Sequence, residues 1–303
     1  YFQKFSYLFA QFRRQNGRSI LGFMIFTLLV TAHLVMLVSH QEEHGYNEEH
    51  KSAEISQKVN QITATNWRDI IKRLAPGLPK NCKDLFKGVS KNFYPDYYTK
   101  RLADFKKKLH SVMLEKNVVG VEGHSGQLPQ QQLFYWSLAR QPHVKTICEI
   151  GFNAGHSSLL WLSANENVTL YSFDINQHRY TQPMAEYLQG QFPGRLYVVY
   201  GPSMMTVPIV SQISQFKCDI SIIDGAHTRD MAISDVINMR KISDDRTLVI
   251  IDDSAKDSRG RRNEVNEALA EMTKKNIVGP IYSCSFKMSS RGFALLSYKE
   301  GDV

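Results

Sequence analysis

Apolar residues between positions 144 and 298 fall into short unbroken runs, separated by segments in which they recur every three or four residues. The runs Val144–Ile150, Thr169–Phe173, Arg195–Tyr200, Asp219–Ile223 and Thr247–Ile251 predict strands. Ser157–Ala164, Gln182–Gln191, Val207–Phe216, Arg229–Lys241 and Asn263–Lys275 predict the helices between and after them. Such alternation predicts an α/β fold, a doubly wound and mostly parallel sheet with helices on both faces. Ile281–Phe286 and Gly292–Tyr298 are joined by a polar turn with no helix between them, which predicts an antiparallel C-terminal hairpin at one edge. Upstream, Tyr98, Leu102, Phe105, Leu109 and Val112 mark one face of an amphipathic helix, and Leu133–Ala139 reads as another, ended near Pro142.

A different pattern occupies the amino-terminal part. Ser19 to Ser39 contains no Asp, Glu, Lys or Arg. At about 1.5 Å per residue it is long enough to cover the ~30 Å hydrocarbon layer of a bilayer, so it is expected to be a single transmembrane helix. A buried core helix of that length would show a polar face, and a cleaved signal peptide would have a shorter apolar run. Lys4, Arg13, Arg14 and Arg18 precede it, whereas Glu42, Glu43, Glu48, Glu49 and Glu54 outnumber Lys51 and Lys58 after it. Positive residues remain cytoplasmic. The expected layout is a cytoplasmic tail at 1–18, a signal anchor at 19–39, a stem or linker at 40–92 with a breaker cluster at Pro76-Gly77-Leu78-Pro79, and a folded domain at 93–303. That domain would lie in the lumen of the Golgi or endoplasmic reticulum.

With 43% hydrophobic and 22% charged residues, the chain is neither disordered nor a multi-span membrane protein. Its net charge of +8 is dispersed among small groups such as Lys106–Lys108 and Arg259–Arg262. No basic stripe interleaved with aromatics appears, so a nucleic-acid partner is not expected. Cys148, Cys218 and Cys284 lie in or beside apolar runs and read as small buried thiols. Cys82, in an irregular stretch, is the best candidate for a disulfide in a luminal domain. Three full pairings exist, and the sequence does not choose among them.

In an open α/β sheet, ligands bind beyond the carboxyl ends of the strands. The first strand ends in Glu149-Ile150-Gly151-Phe152-Asn153-Ala154-Gly155-His156-Ser157, where two glycines between strand and helix allow a ligand to approach the backbone. The second ends in Asp174, an acid placed to accept from ribose hydroxyls. The third is followed by Gly201 and Ser203, which either border an adenine or form a plain turn. The fourth and fifth end in Asp224 and in Asp252-Asp253, with His227 three residues past the first of these acids. Were those strands neighbours, three carboxylates would converge, and a hard divalent cation would offset their repulsion. His227 would face the same pocket as general base.

From about Leu128 onward these residues resemble the class I S-adenosylmethionine-dependent methyltransferases, and within them the metal-dependent O-methyltransferases. The stretch Glu149-x-Gly151-x-x-x-Gly155-x-Ser157 is similar to the glycine motif of catechol O-methyltransferases, and Asp174-Ile175-Asn176 sits where that family has its ribose motif. Asp224 with Asp252-Asp253 resembles its metal set. The last ligand and His227 are closer to the macrolide-sugar O-methyltransferases. The resemblance implies S-adenosylmethionine held by Glu149, Gly151, Asn153, Gly155, Ser157, Asp174 and Ser203. It further implies a divalent ion, Mg²⁺ first, on Asp224, Asp252 and Asp253, catalysis by His227 and Asp224, and a hydroxyl acceptor. A luminal domain suggests a glycan as that acceptor. A membrane-tethered enzyme for phenolic small molecules and a catalytically silent binding module are the alternatives. The oligomeric state is left open.

Overall fold

The computed structural model describes residues 66–86, 93–122, 128–254, 263–286 and 291–299. The expected tail, membrane span and upper stem lie outside these residues. Among the described residues, no helix is long and apolar enough to cross a membrane.

The chain enters through α1 (Trp67–Leu74), a short 3₁₀ turn (Cys82–Asp84), α2 (Asp96–Glu115) and α3 (Pro129–Ala139). The alternation then runs β1 (Thr146–Ile150), α4 (His156–Ala164), β2 (Thr169–Asp174), α5 (Thr181–Gln191), β3 (Leu196–Tyr200), α6 (Ser203–Ile213), β4 (Ile220–Ile223), α7 (Arg229–Arg240), β5 (Leu248–Asp252) and α8 (Glu264–Lys274). It closes with β6 (Val278–Ser285) and β7 (Gly292–Tyr298). The seven strands form one sheet in the order β3-β2-β1-β4-β5-β7-β6. The first five are parallel, and β7 pairs antiparallel with both β5 and β6.

Period-two packing explains the unbroken apolar runs. Leu248 and Ile250 face one hydrophobic cluster with Phe134, Trp161 and Leu188, while Val249 and Ile251 face another with Val236, Met239 and Met272. A strand covered by helices on both sides cannot afford a polar face. The chain builds outward from β1 through β2 to β3, then crosses over to β4. The crevice therefore opens between the carboxyl ends of β1 and β4, where the winding reverses. Ile150 is in register with Phe173 on one side and Ile223 on the other, and Ile223 with Ile251. Gly151, Asp174, Asp224 and Asp252 thus end their strands at one level.

Two expectations need correction. The polar stretch up to residue 92 is not all stem, because the compact unit begins at Asn66. Trp67, Ile70, Ile71, Cys82 and Leu85 are buried in the first cluster. Asn66 caps α1 by accepting from the Arg68 amide, and Trp67 Nε1 donates to the Arg246 carbonyl at 2.8 Å. The apolar residues here are too few and too irregularly spaced to reveal a core contribution along the chain. Cys148, Cys218 and Cys284 are likewise not thiols, whereas Cys82 does form the disulfide expected of it: Cys82 pairs with Cys284, Cys148 pairs with Cys218, and no cysteine remains free. Cys148 lies within β1, and Cys218 stands just before β4, the strand hydrogen-bonded to β1. A buried position in an apolar run fits a half-cystine as well as a thiol.

Candidate functional site

The turn after β1 is shaped by backbone that ordinary residues avoid. Gly151 has φ +100°, and a Cβ there would overlap the Asp224 carbonyl oxygen. Gly155, at φ +88°, begins α4, and its added Cβ would meet only the side-chain ends of Leu188 and Phe152, each at 2.7 Å. Backbone overlap has no relief short of moving a strand end, whereas overlap with side-chain ends is relieved by a smaller shift. Gly151→Ala is therefore expected to cost about 3 kcal/mol or more and Gly155→Ala clearly less, read from urea midpoints. Equal losses would contradict this picture of the turn.

Asn153, with φ +53°, directs its amide to Asp174 Oδ2 at 2.8 Å, and Thr181 Oγ1 donates to its carbonyl at 2.8 Å. Asn176 donates its amide to Asp174 Oδ1 at 2.6 Å. Asp174 thus ties the turn after β1 to the end of β2. Each of its oxygens, already taking one hydrogen bond, keeps acceptor capacity for a further donor.

Glu149 and Ser157 do not open onto the turn as the motif suggested. The Glu149 carboxylate is 1% exposed and accepts from the hydroxyls of Ser157, Ser158 (2.8 Å) and Ser172 (3.0 Å). It fastens β1 to β2 and to the first turn of α4, supporting the glycine turn from below. Burial pushes it up to about 7, although the three hydroxyls favour its charged form. A carboxyl raised on folding stabilises the fold fully below its unfolded value, near 4.5, and loses that contribution as pH rises through about 7. The Glu149→Gln chain should therefore gain on the parent between pH 4.5 and 7, by on the order of 3 kcal/mol in total. Denaturation at four pH values measures this, and parallel curves would refute it.

At the other side of the crevice, His227 Nε2 lies 3.8 Å from Asp224 Oδ1 and 3.6 Å from Asp253 Oδ2. The carboxylate of Asp224 first, and that of Asp253 after it, raise the imidazole above its ordinary range against the effect of burial. Asp224 is itself raised, chiefly by desolvation, and Asp252 more strongly, by desolvation and then by Asp224 and Asp253. Asp253 takes the left-handed conformation (φ +49°), which turns its side chain toward His227 and toward Arg291 Nε, 3.4 Å away. Three acids facing one another have the donor chemistry of a hard divalent cation. Among the described residues, however, no group of three His, Cys, Asp or Glu is drawn together closely enough to hold a metal ion.

Three neighbours escaped the sequence reading. Gln131 of α3, 0% exposed, donates from Nε2 to Asp252 Oδ1 at 2.8 Å and to the Tyr135 hydroxyl at 2.9 Å. Arg291 reaches Asp253 from the start of β7. Asp235 of α7 takes the hydroxyl of Ser203 at 2.5 Å. Gln131 is the middle of three consecutive glutamines at the start of α3, and nothing in the sequence set it apart from the other two. Arg291 and Asp235 carried no signal either.

Comparison with known proteins agrees with this geometry. Residues 148–254 match the family model of a methyltransferase domain. No curated protein matches the chain in sequence. An O-methyltransferase of Bacillus cereus, solved with S-adenosylhomocysteine, superposes with a TM-score of 0.52 at 13% identity, covering 69% of this chain and 94% of its own. An O-methyltransferase of Streptomyces achromogenes involved in tomaymycin synthesis, solved with S-adenosylmethionine, gives 0.51 at 15% identity, covering 73% and 97%. A cofactor-bound protein of MTB gives 0.54 at 17%, covering 70% and 94%. Residues 148–254 are thus similar to a methyltransferase domain, and the chain shares the fold of these proteins.

Proposed function

We propose that this methyltransferase domain transfers the methyl group of S-adenosylmethionine to a hydroxyl oxygen of an acceptor bound against Asp224, Asp252 and Asp253. The observation that carries the reading is the pairing of the Gly151–Gly155 turn and Asp174 with the His227–Asp224–Asp253 group across one crevice. The turn and Asp174 suit the nucleoside part of the donor. His227 suits proton removal from the acceptor. As the oxygen attacks, the carbon–sulfur bond breaks with its electron pair left on sulfur, giving S-adenosylhomocysteine, and the hydroxyl proton passes to His227 Nε2. Asp224 and Asp253 stabilise the imidazolium so formed.

For Asp224, Asp252 and Asp253 to hold a divalent ion, Mg²⁺ by their all-oxygen chemistry, they must draw closer together than they stand here. Such an ion, when bound, offsets the carboxylate charges and lowers the pKa of a neighbouring hydroxyl. A glycan is the favoured acceptor, since vicinal hydroxyls offer two oxygens to one centre. A luminal, signal-anchored placement through residues 19–39 is supported by the charge asymmetry of the flanks and by four cysteines all joined in disulfides, a pattern of oxidising compartments.

The test is calorimetric titration with S-adenosylhomocysteine, followed by transfer of a labelled methyl group to panels of glycans and phenols, with and without chelator. Binding, transfer to a glycan and its loss on chelation are expected. Absence of binding sinks the enzyme reading. Transfer to phenols alone replaces the glycan. Transfer in excess chelator removes the ion.

A further inference from the structure

Asp235 is a buried carboxylate among apolar neighbours. It lies on the core-facing side of α7, between Ala232 and Val236–Met239, and is 1% exposed. A buried carboxylate is costly unless its hydrogen bonds are worth more than its desolvation. One partner is a side chain: Ser203 Oγ, at the first residue of α6, donates to Asp235 Oδ1 at 2.5 Å. The other oxygen lies against the chain at Gly225, where an added Cβ would stand 3.1 Å from Asp235 Oδ2. Asp235 therefore spans the gap between the end of β3 and the end of β4, behind Asp224-Gly225. Burial pushes its carboxyl up, and the Ser203 hydroxyl opposes that rise.

In this hydrogen bond the Ser203 hydroxyl donates and the Asp235 carboxylate accepts. With its proton committed to Asp235, the oxygen of the half-buried Ser203 has only lone pairs left for a ligand. Gly201, two residues before Ser203, lies beside Asp174, to whose carbonyl it donates its amide at 2.9 Å. A nucleoside with its ribose on Asp174 would bring its base to this edge.

We infer that Asp235 is a positioning residue that holds Ser203 as an obligate hydrogen-bond acceptor, and so selects a donor whose purine carries a 6-amino group over one with a 6-oxo group. The inference deepens the proposed function and rests on its donor assignment. A 6-amino group offers a hydrogen to the Ser203 oxygen. A 6-oxo group sets oxygen against oxygen and leaves both unpaired, the situation that sites built for hydrogen bonding reject most strongly.

Titration of the full chain with S-adenosylhomocysteine and with S-inosylhomocysteine tests this. The parent chain should prefer the adenine compound by about tenfold or more. Ser203→Ala and Asp235→Ala should bring the ratio near one by weakening the adenine compound. Asp235→Asn, which keeps an oxygen for the same proton, should retain most of the preference. Circular dichroism and melting curves report folding, and if Asp235→Ala does not fold, Ser203→Ala and Asp235→Asn decide. An unchanged ratio in Ser203→Ala, or in a folded Asp235→Ala, overturns the inference while the donor assignment stands. A parent chain that binds neither compound overturns both.

Discussion

Replacing His227 by alanine is expected to lower turnover by about 10²–10⁴-fold, the usual contribution of a positioned general base. Three features of the site lead there. The imidazole is half exposed at the crevice, so an acceptor can reach it. Its Nε2 stands between two carboxylates, 3.8 and 3.6 Å away, which favour the protonated form it must adopt after the step. Both acids sit at the ends of adjacent central strands, so the pocket geometry does not depend on His227 itself. The affinity for S-adenosylhomocysteine should therefore stay within about threefold, because the glycine turn and Asp174 are untouched; a loss of turnover alone is the signature of an interaction used in the transition state. The residual rate should climb with pH as hydroxide takes over proton removal. An unaltered kcat in His227→Ala would take the residue out of proton transfer.

The largest effect on stability is expected from the Cys82–Cys284 bridge. It joins residues separated by 202 positions, which in the chain-entropy view corresponds to about 5 kcal/mol. The bridge reinforces a junction that also has other ties. Ser285 donates its amide to the Lys80 carbonyl at 3.0 Å, and the Tyr282 hydroxyl donates to the Pro79 carbonyl at 2.6 Å. These local bonds hold the 3₁₀ segment against β6 once the chain is folded, but they do not restrain the unfolded chain. The Cys82→Ala/Cys284→Ala chain should unfold at markedly lower urea, with the rest of the fold retained near neutral pH. A change below about 1 kcal/mol would mean that the unfolded chain is restrained by something else, or that the bridge is not formed in solution.

Comparison of the elements shows where sequence patterns carried information. The strands from β1 to β5 and their helices were legible because the central strands β1, β4 and β5 are buried on both faces, so their apolar runs are continuous. The terminal hairpin was legible because no helix-length segment separates its strands. Segment 66–86 was not, because its contribution is a few side chains such as Trp67 and Leu85, positioned by distant partners. Within the site, Gly151, Gly155, Asp174, Asp224 and Asp252 were legible from their place after apolar runs. Glu149 and Ser157 shared that motif, yet the fold uses them beneath the turn.

By itself, the order of apolar and polar residues determined the α/β alternation, the level at which the strands end and the acids that stand there. Those properties are local, since a strand end is marked by its own neighbours in the chain. Tertiary structure alone decided the cysteine pairing, the placement of Gln131 and Arg291 on two of the acids, and the burial of Asp235 beneath Ser203. Each of these joins residues brought together only when β4 settles beside β1 and the hairpin closes against β5, and the energy of such contacts leaves no periodic trace in sequence.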